Sequence, residues 1–318
     1  MITNKYHLLI TETTNFSKEA AELLNKHFDT KYANINAKQI AFEIADYEIL
    51  WVRLGSYIDK NILDRADKLK IIVTATTGLN HIDVKYAAKK GIKVISLKGE
   101  SKFLRSIRAT AELTIGLILS IMRNIPQSIG DVKNKNWNRE QFKGYELYQK
   151  KVGIIGYGRL GKIVSKYLHH MGTYISIYDP HIKEKLPKYA KSCSLSDIFK
   201  FSDIVSIHAS HTPETKKMIN DKVLSNIKKP IFFVNTARGE IVDEESLLKN
   251  LECGNILAAA LDVLNQEENG VINNKLIDYS KTHQNLIITP HIGGCCYESM
   301  SKTEVFMAHK LLKTVLII

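Results

Sequence analysis

The stretch Val152–Asp179 limits what this chain can fold into more than any other part of it. It opens with an apolar run, Val152-Gly153-Ile154-Ile155, and turns through Gly156-Tyr157-Gly158-Arg159-Leu160-Gly161. It then continues through an amphipathic segment and closes at Ile175-Ser176-Ile177-Tyr178-Asp179. The first run predicts a buried strand. Gly156 permits a tight turn, Gly158 lets a pyrophosphate approach the backbone, and Gly161 lets the next helix pack close to the strand. That helix would aim its free N–H groups and positive dipole end at the phosphates. A second strand delivers Asp179 to a ribose, where its carboxylate can accept two hydroxyl hydrogen bonds and would repel a 2′-phosphate. The pattern predicts a site for NAD rather than NADP, formed by Gly156, Gly158, Arg159, Leu160, Gly161 and Asp179. Glycine-rich turns alone are common. The preceding strand, the following helix and the acid at the expected distance give this one its weight.

The rest of the chain repeats the same rhythm. Strands are predicted at His7–Ile10, Ile49–Val52, Ile71–Ala75 and Val94–Leu97. Helices are predicted from Lys18 to His27, with Ser17 as N-cap, and from Val84 to Lys90, stopped by Gly91. Beyond Asp179, strands are expected at Ile204–Ile207, Ile231–Val234, Leu257–Leu261 and Leu286–Ile288. Thr110–Met122 is strongly apolar but too short for a membrane span, and reads as a buried helix linking two domains. Asn134–Lys150, polar and aromatic, reads as an irregular excursion. Such alternation implies parallel sheets with helices on both faces.

With 318 residues the chain can build two cores, and 44% hydrophobic with 25% charged residues argues against disorder. The net charge of +12 raises the question of nucleic acid. The lysines, however, come singly or in pairs without aromatic interleaving, which favours a solvated surface over a nucleic-acid partner. Cys193, Cys253, Cys295 and Cys296 lack metal-ligand spacing, so no metal is expected, and a reducing cytoplasm fits them. The first residues, Met1–His7, show no signal-peptide core, and the apolar tail Thr314–Ile318 is too short to enter a bilayer, so no membrane association is expected.

Arg238, Asp262, Glu267 and His291 each stand just after a predicted strand, where ligands bind in open α/β sheets. An arginine can grip a substrate carboxylate in a forked pair. A histidine can exchange a proton with a keto oxygen as a hydride arrives or leaves, and a carboxylate on its other ring nitrogen holds the ring. These types together suit hydride transfer to a small 2-keto acid. His208 ends a strand near the expected cofactor groove and is assigned to the dinucleotide, as is Thr236 beside Arg238. Two earlier strand-end loops, Arg53-Leu54-Gly55-Ser56 and Thr76-Thr77-Gly78-Leu79-Asn80, are candidates for the substrate, with Gly78 offering backbone N–H groups to a carboxylate. Arg105, Arg108 or Arg53 is expected to meet a second negative charge such as phosphate. Asp243, Glu244 and Glu245 read as helix-capping acids.

The chain resembles the D-isomer-specific 2-hydroxyacid dehydrogenase family, and its phosphoglycerate dehydrogenase-like branch most of all. The likeness rests on Val152–Gly161 with Tyr178-Asp179-Pro180, on Asn235-Thr236-Ala237-Arg238-Gly239, on Ala260-Leu261-Asp262-Val263 and on Thr289-Pro290-His291-Ile292-Gly293-Gly294. Ala109–Thr114 is similar to the family's inter-domain helix. The resemblance implies a catalytic set of Arg238, Glu267 and His291. It also implies an Asp262 contact to the nicotinamide carboxamide, and Thr77-Gly78 at the substrate carboxylate. It implies a Rossmann-type doubly wound domain over 105–290 and a smaller flavodoxin-like α/β substrate domain from 1–104 and 291–318, usually in a homodimer. The non-catalytic alternative is an NAD(H)-sensing protein like the corepressors that resemble this family. Departures from the family pattern include Glu268 after the expected catalytic acid, where proline is usual. Gln149 stands where glycine is frequent, Ser210-His211 replaces Pro-Leu, and Cys295-Cys296 replaces small residues.

Overall fold

The computed structural model describes residues 5–182, 184–265, 267 and 273–316. The chain divides into two compact units, one built from 1–107 and 295–318 and the other from 108–294.

Unit 1 carries five parallel strands: β1 (His7–Ile10), β2 (Asp29–Tyr32), β3 (Ile49–Val52), β4 (Ile71–Thr74) and β5 (Lys93–Ile95). Their order is β2-β1-β3-β4-β5, the flavodoxin-like winding. The two-residue period of a strand sends alternate side chains to opposite faces. Leu8, Ile10, Trp51 and Val73 therefore meet Met307, Ala308 and Leu311 of the helix Tyr297–Val315 on one face. Leu9, Leu50, Val52 and Ile72 meet Ile40, Ile62, Leu63 and Ile82 on the other. Ser17 caps the helix Lys18–His27 by accepting from Ala20 N, and Gly91 takes a φ of +73° just after Val84–Lys89. β2 has no counterpart in the sequence reading because this edge strand alternates exposed and half-buried residues and has no apolar run.

Unit 2 holds seven parallel strands: β6 (Lys151–Ile155), β7 (Tyr174–Tyr178), β8 (Ala190–Ser192), β9 (Ile204–Ile207), β10 (Ile231–Asn235), β11 (Ile256–Leu261) and β12 (Leu286–Ile288). The order β12-β11-β10-β9-β6-β7-β8 reverses at β6, the first strand of the unit, as in a Rossmann-type sheet. Ile155, Val205, Ile207 and Phe233 face one core, and Val152, Ile154, Ile177 and Val234 the other. The apolar helix Ala109–Met122 lies wholly in this unit and packs Ile118, Ile121 and Met122 into the second core. The segment read as irregular contains a 3₁₀ turn at Arg139–Phe142, and a helix, Ile125–Lys133, precedes it. Among the described residues no helix is long and apolar enough to cross a membrane, and no three His, Cys, Asp or Glu side chains cluster as metal ligands would. Residues 1–4 and the last two of the apolar tail lie outside the described residues.

Candidate active site

The glycine-rich turn leaves β6 through Gly156 at a φ of +91°, where a Cβ would stand 2.5 Å from the Ala209 nitrogen. Only glycine suits that position. A Cβ on Gly161 would fall 2.0 Å from the Gly156 carbonyl oxygen, so the helix Arg159–His170 begins directly on the turn. Gly158 faces open space, with nothing within 4 Å of a Cβ built there. This open cradle at a helix N-terminus fits a pyrophosphate. Asp179 is fixed beside it, its Oδ2 accepting from Tyr157 N at 2.7 Å and its Oδ1 from His181 N at 2.8 Å. Burial, and then the positive charge of Arg108, lower the pKa of Arg159, a half-buried cation at the mouth of the turn. Leu160 packs against the core beneath.

Two residues assigned to the dinucleotide turn their side chains inward. His208 is 9% exposed. Its Nε2 bonds the Ser206 hydroxyl at 2.9 Å, while Nδ1 is buried without a hydrogen-bond partner among the described residues. Burial pushes its pKa down to about 3. Thr236 is 4% exposed and shares a 2.8 Å hydrogen bond with the Thr114 hydroxyl.

Three loops at the ends of β10, β11 and β12 carry the remaining unit 2 candidates. In the first, the Asn235 amide ties the turn, accepting from Ala237 N at 3.0 Å and donating to Arg238 O at 2.9 Å. Gly239 follows, and a Cβ there would lie 2.0 Å from the Leu264 carbonyl carbon. The Arg238 loop and the loop leading to Glu267 therefore touch backbone to backbone. Glu267 Oε2 accepts from Leu264 N at 3.1 Å, and its Oε1 meets His291 Nδ1 in a short hydrogen bond. That contact fixes the proton on Nδ1 and leaves Nε2 for a ligand. His291 sits at a φ of +53°, left-handed backbone that costs free energy in a non-glycine residue and aims its ring. Glu268 lies outside the described residues.

Asp262 holds this histidine loop in place. It is 1% exposed, and Thr289 Oγ1 (2.6 Å), Ile292 N (2.8 Å) and Gly293 N (2.8 Å) all donate to its carboxylate. Its own carbonyl accepts from His291 N at 2.9 Å. Burial raises its pKa against the pull of those donors. Asp262, expected at the cofactor, also clamps two loops together through its carboxylate.

Among the three adjacent acids, Asp243 caps the helix Glu244–Glu252 by accepting from Ser246 N, and Glu245 pairs with Lys275. Glu244 differs from both. It accepts from Asn265 N at 2.7 Å and Asn274 Nδ2 at 2.9 Å, and burial raises its pKa. It thus anchors the chain on both sides of Glu267, a role that three consecutive acids do not reveal in a sequence.

In unit 1, Thr77 is exposed and Gly78 half-buried at the end of β4. A relay from buried His81 Nε2 through Thr74 and Thr76 to the Gly78 carbonyl sets the shape of that loop. Arg53, at the end of β3, is not a free cation: Glu304 binds its guanidinium. Arg105 and Arg108 are exposed, in unit 1 and unit 2 respectively.

Residues 115–293 match the family model described as D-isomer specific 2-hydroxyacid dehydrogenase, NAD binding domain. The chain is 34% identical over 312 residues to a D-3-phosphoglycerate dehydrogenase of Methanocaldococcus jannaschii, covering 97% of this chain and 57% of that one. It is 32% identical over 299 residues to a hydroxypyruvate reductase of Thermotoga maritima, covering 93% and 94%. The chain thus spans little more than half the length of the archaeal relative and nearly all of the hydroxypyruvate reductase. Among solved structures, the D-lactate dehydrogenase from Aquifex aeolicus complexed with NAD and lactic acid is similar with a TM-score of 0.83 and 27% identity, over 97% of this chain and 95% of that one.

Proposed function

Because the chain belongs to the D-isomer-specific 2-hydroxyacid dehydrogenase family, we propose that it is an NAD-dependent oxidoreductase acting on a D-2-hydroxy acid and its 2-keto acid. The observation that carries this reading is the Glu267–His291 pair, with the backbone of the Arg238 loop against that of the Glu267 loop. Gly156, Gly158, Arg159, Gly161 and Asp179 would hold the dinucleotide, which when bound supplies or accepts a hydride at the substrate C2. Arg238 grips the acid's carboxylate and polarises the keto oxygen. His291 gives its Nε2 proton to that oxygen in reduction and takes it back in oxidation. Glu267 holds the ring through Nδ1 and stabilises the imidazolium.

The test is NADH oxidation against a panel of 2-keto acids. His291→Ala should lower turnover by about a thousandfold or more while NADH still binds. Unchanged turnover in that variant removes His291 from the chemistry. NADH binding without turnover of any acid by the unmodified protein would replace catalysis by an NAD(H)-sensing role.

A homodimer is the assembly this reading carries. The helix Ile125–Lys133 buries none of its residues, and Ile129, Val132, Trp137 and Tyr148 stand 50%, 51%, 83% and 62% exposed along one stretch of chain. Such a run of apolar surface suits a second copy. Light scattering of the protein and of Trp137→Glu reads it, with a monomer expected for the variant. Cys193, Cys253, Cys295 and Cys296 form no disulfide, which suits a reducing cytoplasm.

A further inference from the structure

In unit 2 the dinucleotide cradle has a second neighbour, the start of the helix Ala109–Met122. That helix packs beside the helix Arg159–His170 in one core, with Ala111, Leu117 and Ile118 among Ile163, Val164 and Leu168. Both begin at the carboxyl edge of the same sheet, where α/β folds bind ligands. The helix Arg159–His170 leaves the turn after β6. The first turns of the other reach the loops after β10 and β12. Thr114 shares its hydroxyl hydrogen bond with Thr236, and a Cβ built on Gly293 would stand 3.1 Å from Thr110 Cγ2. An arginine marks each start: Arg108 is the N-cap of Ala109–Met122, and Arg159 is the first residue of Arg159–His170.

Neither cation belongs there by local rules, because a helix N-terminus carries partial positive charge and favours acids. Arg108 is exposed and makes no capping hydrogen bond. It forms no ion pair among the described residues, Glu112 in the first turn of its own helix included. Arg159 is half-buried. Burial, and after it the charge of Arg108, pulls its pKa down, so the two guanidiniums lie within each other's field. Two positive helix ends and two like charges thus converge beside a turn where Gly158 faces open space. Such a placement works against folding, and groups set against local preference mark functional sites. An anion that relieves it must reach both arginines and balance both charges. A pyrophosphate does so; a single carboxylate does not.

We propose that Arg108 is a second cation for the dinucleotide pyrophosphate, acting together with Arg159. The inference rests on the dinucleotide site of the reading above and adds a binding residue to it. It also moves Arg108 to the cofactor from the substrate, where the sequence suggested a phosphate partner.

The test is a fluorescence titration of the full chain with NADH at low and at high salt. NADH is then displaced by ADP-ribose, which keeps the pyrophosphate, and by adenosine, which has none. Arg108→Gln should weaken NADH and ADP-ribose by about tenfold at low salt and by less at high salt, as screening of an exposed charge requires, and should leave adenosine as it was. Arg108→Lys keeps the charge without the fork and should recover part of the loss. Lys200→Gln removes one exposed charge from the helix Leu195–Phe201, which leads to the amino end of β9, and should leave NADH affinity as it was. Unchanged NADH affinity in Arg108→Gln overturns the inference. So does an equal loss in Lys200→Gln, which is an effect of net charge, or an equal loss for adenosine, which is an effect on the fold. A change confined to the KM of a keto acid would put Arg108 at the substrate and overturns it as well. NADH binding without turnover of any keto acid ends the dehydrogenase reading and leaves this inference standing. Absence of NADH binding by the unmodified protein overturns both.

Discussion

Acid should weaken unit 2 through one residue, His208. In the folded chain its pKa lies at about 3, against an ordinary value of 6.5, because burial disfavours the imidazolium. Among the described residues nothing offsets that burial: Ser206 is the partner of Nε2, and Nδ1 has none. Between those two values the unfolded chain binds a proton that the folded chain does not, so stability rises with pH across the window and is lost as pH falls through 6.5 toward about 3. Going from about pH 7 to about pH 5, linkage to this single group removes about 2 kcal/mol. His208→Gln keeps a hydrogen-bonding group for Ser206 and cannot titrate. Urea unfolding at both pH values, followed in both proteins, isolates the contribution from that of the other histidines. The unmodified protein should lose about 2 kcal/mol more than the variant over the interval. Parallel losses would show that the ring is protonated in the fold, and that its buried environment is not what the hydrogen bonding implies. The consequence would reach the cofactor site, since the His208 carbonyl carbon lies 2.7 Å from a Cβ built on Gly156.

Three further outcomes follow from the same geometry. Gly239→Ala should cost about 3 kcal/mol or more in thermal or urea unfolding and abolish turnover, because its Cβ would enter the Leu264–Asn265 backbone. Glu244→Gln can no longer accept from both Asn265 and Asn274 as an ion; kcat should fall about tenfold while NADH affinity, read by fluorescence titration, stays unchanged. Asp179→Ser should move the NADH-to-NADPH ratio of kcat/KM by about tenfold or more toward NADPH, by removing both the ribose acceptor and the charge that repels a 2′-phosphate.

What the sequence revealed and what it concealed divide along a physical line. Backbone constraints are local, so they are legible. Gly156 and Gly161 announce a turn whose close backbone approaches are those found, and the runs around Leu50, Ile72, Val205 and Phe233 announce buried parallel strands. Two of the edge strands, β2 and β8, escape, because they are exposed or half-buried throughout and carry no apolar run. Gln149 shows a local rule overridden: it holds a φ of +61°, a conformation that favours glycine, and pairs through its N–H with Gly172 O.

Carboxylates are the least legible residues, because their role depends on what distant chain folds over them. Glu244 and Glu245 are neighbours on one helix, yet one is buried under the Glu267 loop and the other faces Lys275 in solvent. Asp262 and His291 are linked through backbone amides of a loop that only the β11–β12 pairing brings alongside. Arg53 and Glu304 are 251 residues apart, and no window of sequence contains both. A cation at a strand end reads as a receptor for an anionic ligand until its internal partner is known. Which charged residues a strand end can offer to a ligand therefore depends on which of them the chain has already paired. For this protein Arg53 is paired with Glu304, and His291 is paired through Nδ1 with Glu267.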